Sequence, residues 1–159
     1  TRLSGMSTTK LNWLIKGTSL ARVPLLAFCN PKLLSVEPTS KVVLPLNFVT
    51  KNHFRTMYFG ALAMGAELSV ATPILEAMFI QKKPITFIFK DFKCEFLKRA
   101  DTSVVFEFSD VDESRHAVED ALRSGERLNK TFKGKAYSTK DSENVFMTYE
   151  ITISLKRSR

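Results

Sequence analysis

The spacing of hydrophobic residues changes along the chain, and each change predicts a different element. Residues 54–80 are almost continuously apolar, and no charged residue lies between Arg55 and Glu67. A helix that is apolar on nearly all sides is typical of a buried central position. We therefore predict a long buried helix over about residues 54–80. Pro73 should kink or end this helix, because proline removes a backbone donor and clashes with the preceding turn.

Alternating apolar residues predict strands on both sides of this helix. A first strand is predicted by Val42, Leu44 and Leu46. Pro45 within it favours an edge position or a bulge. After the helix, residues 85–97 carry Phe on two different phases, which predicts a bulge between Phe89 and Phe92.

Three further strands follow in the second half of the chain. The first is predicted around residues 102–109 and the second around residues 127–138. The third shows the clearest alternation in the chain, with Val145, Met147, Tyr149, Ile151, Ile153 and Leu155 on one face. Between the first two, residues 114–126 form a short polar helix or a loop.

The N-terminal pattern is weaker. Apolar residues at roughly helical intervals predict a short amphipathic helix, namely Leu11, Leu14, Ile15, Leu20 and Val23. Residues 1–9 are polar, and we expect them to be flexible. The whole chain, residues 1–159, is predicted to be a single α+β domain, in which an antiparallel sheet of about five strands wraps around one long helix.

The charge balance favours an anionic partner. The 24 Lys and Arg outnumber the 16 Asp and Glu, which gives a net charge of +8, and the excess lies late in the chain. Such a field could attract nucleic acid, an acidic protein or a phosphorylated cofactor, or it could simply be a solvated strand face. No zinc-finger, basic-zipper or RNA-recognition motif accompanies the charges, so we expect no nucleic-acid binding.

Cysteine and histidine are too sparse for a metal or disulfide site. Cys29 and Cys94 have no second pair, which predicts reduced thiols and a cytoplasmic protein. His53 and His116 lie at neither metal-ligand nor triad spacing, so we expect them to be polar surface residues. The longest apolar run is broken by Gly, Glu and Pro, and therefore no membrane span is expected.

The entrance of the predicted helix carries the candidate chemistry. Its residues are Asn52, Tyr58, Phe59, Gly60 and Glu67. A carboxylate in an apolar helix loses solvation, which raises its pKa and suits it to act as a base or nucleophile. The first backbone amides of a helix lack partners and can stabilise an oxyanion. Alternatively, Glu67 pairs with a buried hydroxyl or with a cation of a neighbouring chain, and Asn52 caps the helix.

From Leu33 to Leu155, this order and spacing resemble the phenylacetate-type acyl-CoA thioesterases of the hotdog-fold superfamily. In those enzymes an Asn precedes the helix, a His follows six residues on, a Gly pair comes next, and an Asp or Glu lies nine residues after the His. Here Tyr58 stands where the His is usual, and Phe59 and Gly60 replace the Gly pair. The resemblance therefore implies a hotdog fold in a divergent branch.

The resemblance also implies a function and a set of roles. Glu67 would activate water or attack the thioester of an acyl-CoA or acyl carrier protein, and the Phe59 amide would polarise its carbonyl with the help of Asn52. Thr86 would hold the water, and Lys133, Lys135 and Lys140 would meet the phosphates. Coenzyme A would enter only as part of the substrate, without a separate cofactor. The shared site implies a homodimer, or a dimer of dimers. The alternative is a non-catalytic acyl- or lipid-binding protein, which the departures at Tyr58 and Phe59 favour.

Overall fold

The structure of the protein is a computed structural model that describes residues 8–14, 16–17 and 23–158. The helices are α1 (residues 8–14 and 16–17), α2 (Pro24–Phe28), α3 (Phe59–Leu75) and α4 (Val111–Ser124). A π-helical turn, Glu76–Ile80, directly follows α3. The strands are β1 (Lys32–Ser35), β2 (Ser40–Leu44), β3 (Ile85–Phe96), β4 (Val104–Phe108), β5 (Leu128–Ser138) and β6 (Val145–Arg157).

The strands form one antiparallel sheet in the order β1-β2-β4-β5-β6-β3. The sheet therefore has six strands where the sequence predicted about five, because the short strand β1 shows no alternating pattern. Strand β2 is an inner strand, and the edge position expected from Pro45 is wrong. Pro45 follows β2, where the ladder no longer needs its missing N–H.

The long strands confirm the period-2 predictions. In β4, Val104, Phe106 and Phe108 are fully buried, and the alternating residues of β6 face the same side of the sheet. The register of β3 against β6 shifts between Phe89 and Asp91, which confirms the predicted bulge. We call this side of the sheet, which α3 covers, the inner face and the opposite side the outer face.

Helix α3 crosses the inner face, as predicted, but its bounds differ from the expected 54–80. It begins at Phe59, because the segment before it, residues 52–57, forms turns and is not helical. It also does not end at Pro73 but continues to Leu75 and into the π-helical turn. The stretch Phe59–Ile80 is long and apolar enough to span a membrane, and 61% of its most apolar window is buried inside the protein. Such burial is what the core helix of a sheet domain shows.

The polar segment after β4 is a helix, one of the two predicted forms, and it is amphipathic and begins three residues earlier than expected. Helix α4 buries Val111, Ala117, Val118 and Ala121 and begins with acidic residues. It ends at Gly125, whose φ of 71° is the left-handed conformation that glycine adopts readily. The polar residues that suggested a loop form its solvent-exposed face.

The N-terminal helix protects the edge of the sheet. The side-chain amide of Asn12 in α1 donates to the Leu33 carbonyl at 3.0 Å, and its oxygen accepts from the Leu33 N–H at 2.9 Å. Asn12 thus takes the place of a neighbouring strand beside β1. Residues 8 and 9 are helical, while residues 1–7, Ile15 and Leu20 lie outside the described residues.

A side-chain hydroxyl satisfies the carbonyl that Pro73 leaves without a helical donor. Proline at position 73 cannot donate to the Ser69 carbonyl four residues earlier. The Ser40 hydroxyl of β2 donates to that carbonyl at 2.7 Å, and Ser40 and Ser69 are both fully buried. This bond joins the helix to the sheet and explains why α3 continues through a proline.

We expect Ser40→Ala to lower the free energy of unfolding by about 1–3 kcal/mol, because it leaves a buried carbonyl without a partner. In a Pro73→Ala background, the new N–H of residue 73 can donate to the Ser69 carbonyl, so Ser40→Ala should lower the free energy of unfolding much less. Urea denaturation of wild type, the two single variants and the double variant measures this coupling. Ser114→Ala is the matched control, since Ser114 is fully buried with a hydroxyl that has no partner among the described residues. An equal cost of Ser40→Ala in both backgrounds would contradict the interpretation.

Candidate active site

The turn before α3 is organised by Asn52. Its side-chain oxygen accepts from the N–H groups of Phe54 at 2.9 Å and Thr56 at 3.2 Å. Its side-chain amide donates to the Thr56 hydroxyl at 3.1 Å. Asn52 is therefore not the N-cap of α3, which is Tyr58. Its side chain is engaged within its own turn, six residues before the helix entrance.

The first turn of α3 presents backbone donors without acceptors. The Tyr58 N–H donates to the Thr50 carbonyl at 2.8 Å, and the first helical bond runs from the Leu62 N–H to the Tyr58 carbonyl at 3.1 Å. No side chain caps this end. Within the described part of the chain, the N–H groups of residues 59–61 have no hydrogen-bond acceptor. They lie at the positive end of the helix dipole and can stabilise a developing negative charge.

The Tyr58 side chain folds back over Gly60. A Cβ atom at Gly60 would lie 2.5 Å from Tyr58 Cε1, so the missing side chain makes room for the ring. The Tyr58 and Phe59 ring centroids are 4.8 Å apart, and both side chains are exposed. The position where the resembling enzymes carry an imidazole thus holds a phenol packed against the first helical turn.

A cavity of about 550 Å³ lies beside this helix end. Its walls come from the Asn52 turn, from the start of α3 and from the segment that follows β3. The Met57 N–H donates to the Ala100 carbonyl at 2.8 Å and joins these segments. The lining is largely apolar and includes Phe54, Met57, Tyr58, Phe59, Leu62, Phe96 and Leu97. The cavity lining contains Lys98 and Arg99 but neither Asp nor Glu.

Glu67 lies on the one stripe of α3 that the sheet leaves open. From Ala61 to Ile74, the only positions that are not buried are Ala63, Met64 and Glu67. The Glu67 carboxylate has no hydrogen bond or ion pair to any described residue, so no internal partner compensates its charge. The side chain still meets solvent, but the protein atoms around it displace enough water to raise its pKa above the ordinary value.

Glu67 and the open amides are too far apart to act on one carbonyl within a single chain. Glu67 lies eight residues after Phe59, which is about 12 Å along the helix axis. A glutamate side chain spans only part of this distance. A carbonyl held by the Phe59 amide therefore lies beyond the reach of the Glu67 carboxylate of the same chain.

The structure does not bring the remaining predicted residues to this site. Thr86 faces the outer side of β3, where its hydroxyl donates to the Lys156 carbonyl at 3.1 Å. Lys133 pairs with Glu150 at 3.0 Å, and Lys135 lies 3.8 Å from Glu107, also on the outer face. Lys140 is exposed in the turn after β5. The cations that do line the cavity, Lys98 and Arg99, were not predicted.

The two histidines lie in different places. His53 is exposed in the Asn52 turn, packs against the Phe54 ring and lines the cavity, whereas His116 is exposed on α4. Both are surface residues, as expected. Among residues 8–14, 16–17 and 23–158, no group of three His, Cys, Asp or Glu side chains is placed to hold a metal ion.

A comparison with models of known protein families identifies the family of this chain. Residues 12–155 match a family described as a domain of unknown function, DUF4442. The chain belongs to the DUF4442 family. A search of curated protein sequences gave no match.

Solved structures establish the fold of this DUF4442 protein. A Pseudomonas aeruginosa protein described as a probable thioesterase is 19% identical with a TM-score of 0.72, and 94% of our chain and 95% of that chain are covered. A Haemophilus influenzae thioesterase is 11% identical with a TM-score of 0.66, over 94% and 90%. The PaaI protein of the E. coli phenylacetic acid degradation operon is 7% identical with a TM-score of 0.59, over 96% of each chain.

These similarities confirm the predicted hotdog fold, which the chain shares with proteins described as thioesterases. The sheet is the outer wrapping of this fold, and α3 is its central helix. At these identities, the similarity does not extend to a substrate or a mechanism.

The raised pKa of Glu67 makes a testable contribution to stability. The folded state binds the proton more tightly than the unfolded state does, whose pKa lies near the ordinary 4.5. Wild type should therefore lose stability relative to Glu67→Gln as the pH rises through 4.5 and through the raised folded-state pKa. Thermal melts across this pH range measure the difference. Glu126→Gln, at an exposed position, is the matched control for the loss of one carboxylate. A pH-independent difference for Glu67→Gln would contradict the expectation.

Proposed function

We propose that this protein hydrolyses the thioester of an acyl-CoA or an acyl carrier protein. The observation that carries the proposal is the set of open amides at residues 59–61, which lie beside an apolar cavity at the positive end of α3. An acyl group fits an apolar cavity, and its thioester carbonyl would accept from these amides. Further along α3, on the stripe that the sheet leaves open, Glu67 provides a carboxylate with a raised pKa.

In the proposed reaction, water adds to the carbonyl carbon while Glu67 takes its proton. The amides at the start of α3, that of Phe59 first, stabilise the oxyanion of the tetrahedral intermediate. The carbon–sulfur bond then breaks, and the thiolate leaves with the proton as the free thiol. Direct attack of the Glu67 carboxylate on the carbonyl, followed by hydrolysis of the anhydride, would give the same products.

The site requires a second copy of the chain, so we propose a homodimer, alone or paired into a tetramer. The distance along α3 separates Glu67 from the amides of its own chain, and a partner could place its own Glu67 opposite them. Strand β3 is the unpaired end of the sheet and exposes Ile88, Phe89 and Phe92. A long edge strand with exposed apolar residues favours pairing with another chain.

The phosphates of coenzyme A or of a phosphopantetheine arm would meet cations at the cavity. Lys98 and Arg99 line the cavity, and neither forms an ion pair with a described residue. They fit this role better than Lys133 and Lys135, which face the outer side of the sheet and are paired with carboxylates.

The second candidate function is non-catalytic binding of an acyl group. Tyr58 favours it, because a phenol cannot serve as an imidazole base at neutral pH and its ring packs directly against Gly60. In that case the cavity would still hold the acyl chain, and Glu67 would have no chemical role. Thiol release distinguishes the two candidates.

We expect Glu67→Gln to lower the rate of thiol release from acyl-CoAs by roughly 10²–10⁴-fold, since the general base is lost. The measurement is thiol release across a series of acyl chain lengths and with acyl carrier proteins. Glu126→Gln should retain the wild-type rate. Unchanged hydrolysis in Glu67→Gln would contradict the mechanism, and no hydrolysis by wild type would favour the binding function.

Phe59→Pro should also abolish thiol release, because proline removes the amide donor. Proline is well tolerated at the first position of a helix, and Tyr58 already has the extended backbone, with ψ of 139°, that must precede a proline. Phe59→Ala keeps the amide and should retain most activity. If both changes are equally harmful, the side chain matters and the amide does not.

The same variant tests the shared site. Mixing inactive Glu67→Gln with inactive Phe59→Pro forms mixed dimers in which one site has both an intact carboxylate and an intact amide. Part of the wild-type activity should then return. Each variant must first be shown to dimerise and exchange subunits by sedimentation and mass spectrometry. No recovery in exchanged dimers would contradict the shared site.

A further inference from the structure

The loop before α3 is held rigidly by two side-chain turns. In the first, the Asn47 side-chain oxygen accepts from the N–H groups of Val49 at 2.8 Å and Thr50 at 3.2 Å. In the second, Asn52 holds Phe54 and Thr56 in the same manner. Because these bonds involve backbone and asparagine groups, they fix the loop without any help from its large apolar side chains.

The tips of both turns carry apolar side chains into solvent. Phe48 is 86% exposed, Val49 54% and Phe54 61%. Cations lie next to them: the Lys51 ammonium is 5.6 Å from the centre of the Phe48 ring, and the Arg99 guanidinium is 5.3 Å from that of Phe54. We call this set the entrance surface: Phe48, Val49, Lys51, Phe54, Arg55 and Arg99.

The entrance surface is cationic and has no carboxylate of its own. The chain contains no Asp or Glu from Pro38 to Ala66. Within the described residues, Lys51, Arg55 and Arg99 form no ion pair. By contrast, three cations of the outer face, Lys41, Lys133 and Lys135, each have a carboxylate partner. The entrance surface thus combines exposed apolar tips with uncompensated positive charge.

We propose that the entrance surface binds the surface of an anionic lipid membrane. Aromatic and aliphatic side chains that project beside Lys and Arg match an interface where apolar groups enter the acyl boundary and cations meet phosphates. An acidic protein would pair the cations but gain little from a Phe as exposed as Phe48. If two copies contacted each other through the entrance surface itself, Lys51 and Arg55 of one copy would lie near the same cations of the other, and the surface has no carboxylate of its own to offset them.

With the entrance surface on a membrane, the cavity would open close to the lipid. Phe54 belongs both to the entrance surface and to the cavity wall, so the cavity opens beside the proposed contact. A long acyl chain could pass from the bilayer to the start of α3 without crossing water. This last step rests on the proposed hydrolysis of acyl thioesters. Binding to lipid does not, and it can be measured without any substrate.

The test is co-sedimentation of the whole chain with vesicles of phosphatidylcholine alone and of phosphatidylcholine with phosphatidylserine. Wild type should bind the anionic vesicles and release them as salt is raised. Phe48→Ser with Val49→Ser should weaken partitioning by roughly tenfold or more, because two apolar side chains are lost from the contact. Lys51→Glu with Arg55→Glu should weaken it by at least roughly fivefold for each charge, and only with anionic vesicles.

Leu25→Ser with Phe28→Ser is the matched control. These residues of α2 are 65% and 66% exposed and again pair an aliphatic with an aromatic side chain. Leu26 of the same helix packs on a cluster that contains Leu68 of α3, nine residues after Phe59. Vesicle binding should be unchanged. Loss of binding in this control alone, or wild-type binding in the Phe48 and Val49 variant, would overturn the proposal. So would conversion of that variant to monomers, which would make the surface an interface between copies. Binding of an acidic carrier protein in place of vesicles, lost in the Lys51 and Arg55 variant, would overturn it as well.

Discussion

The architecture depends on the close contact between Gly65 of α3 and Phe106 of β4. A Cβ atom at Gly65 would lie 2.2 Å from Phe106 Cε2, so a side chain at this position would displace the buried Phe106 ring or move the helix away from the sheet. Close approach at this point lets the sheet bury α3 from Val70 to Ile74 almost completely. It also places the start of the helix against the segment after β3, where Met57 bonds to Ala100. The cavity forms between these two segments.

The spacing of hydrophobic residues predicted the elements that bury either one face or nearly their whole surface. The alternation in β6, the bulge in β3 and the apolar run of α3 each follow from the face that the residues bury. Strand β1 is too short to show a period, since only Leu33 among its residues is buried. The length and regularity of helix α4 were underestimated from the sequence. Its buried residues are few and small and include alanines, and charged residues separate them. The start of α3 was placed too early, because the hydrogen bonds of the Asn52 side chain hold residues 52–56 in a turn, and the spacing of apolar residues does not indicate such bonds.

The candidate site was predictable where it depends on one helix and unpredictable where it depends on the sheet. Phe59, Gly60 and Glu67 share α3, so their relation follows from helical geometry alone. The phase of Thr86 in β3 is set by pairing with Lys156, which turns its side chain to the outer face. Lys133 and Lys135 lie on that face for the same reason. Lys98 and Arg99 reach the cavity through the tertiary contact at Ala100, which no local pattern encodes.

The distribution of burial along α3 relates the fold to the proposed chemistry. From Leu68 to Ile74, the sheet and the neighbouring helices cover every position, whereas the first half of the helix keeps an open stripe that ends at Glu67. A carboxylate without a partner is tolerated at Glu67 because solvent still reaches it in the single chain, although its pKa is already raised. In the proposed dimer, the second copy would remove more of this water, which raises the pKa of Glu67, whereas the positive helix end of the partner would lower it. The contact that brings Glu67 to the amides of the partner would thus also set its strength as a base, through the balance of these two effects.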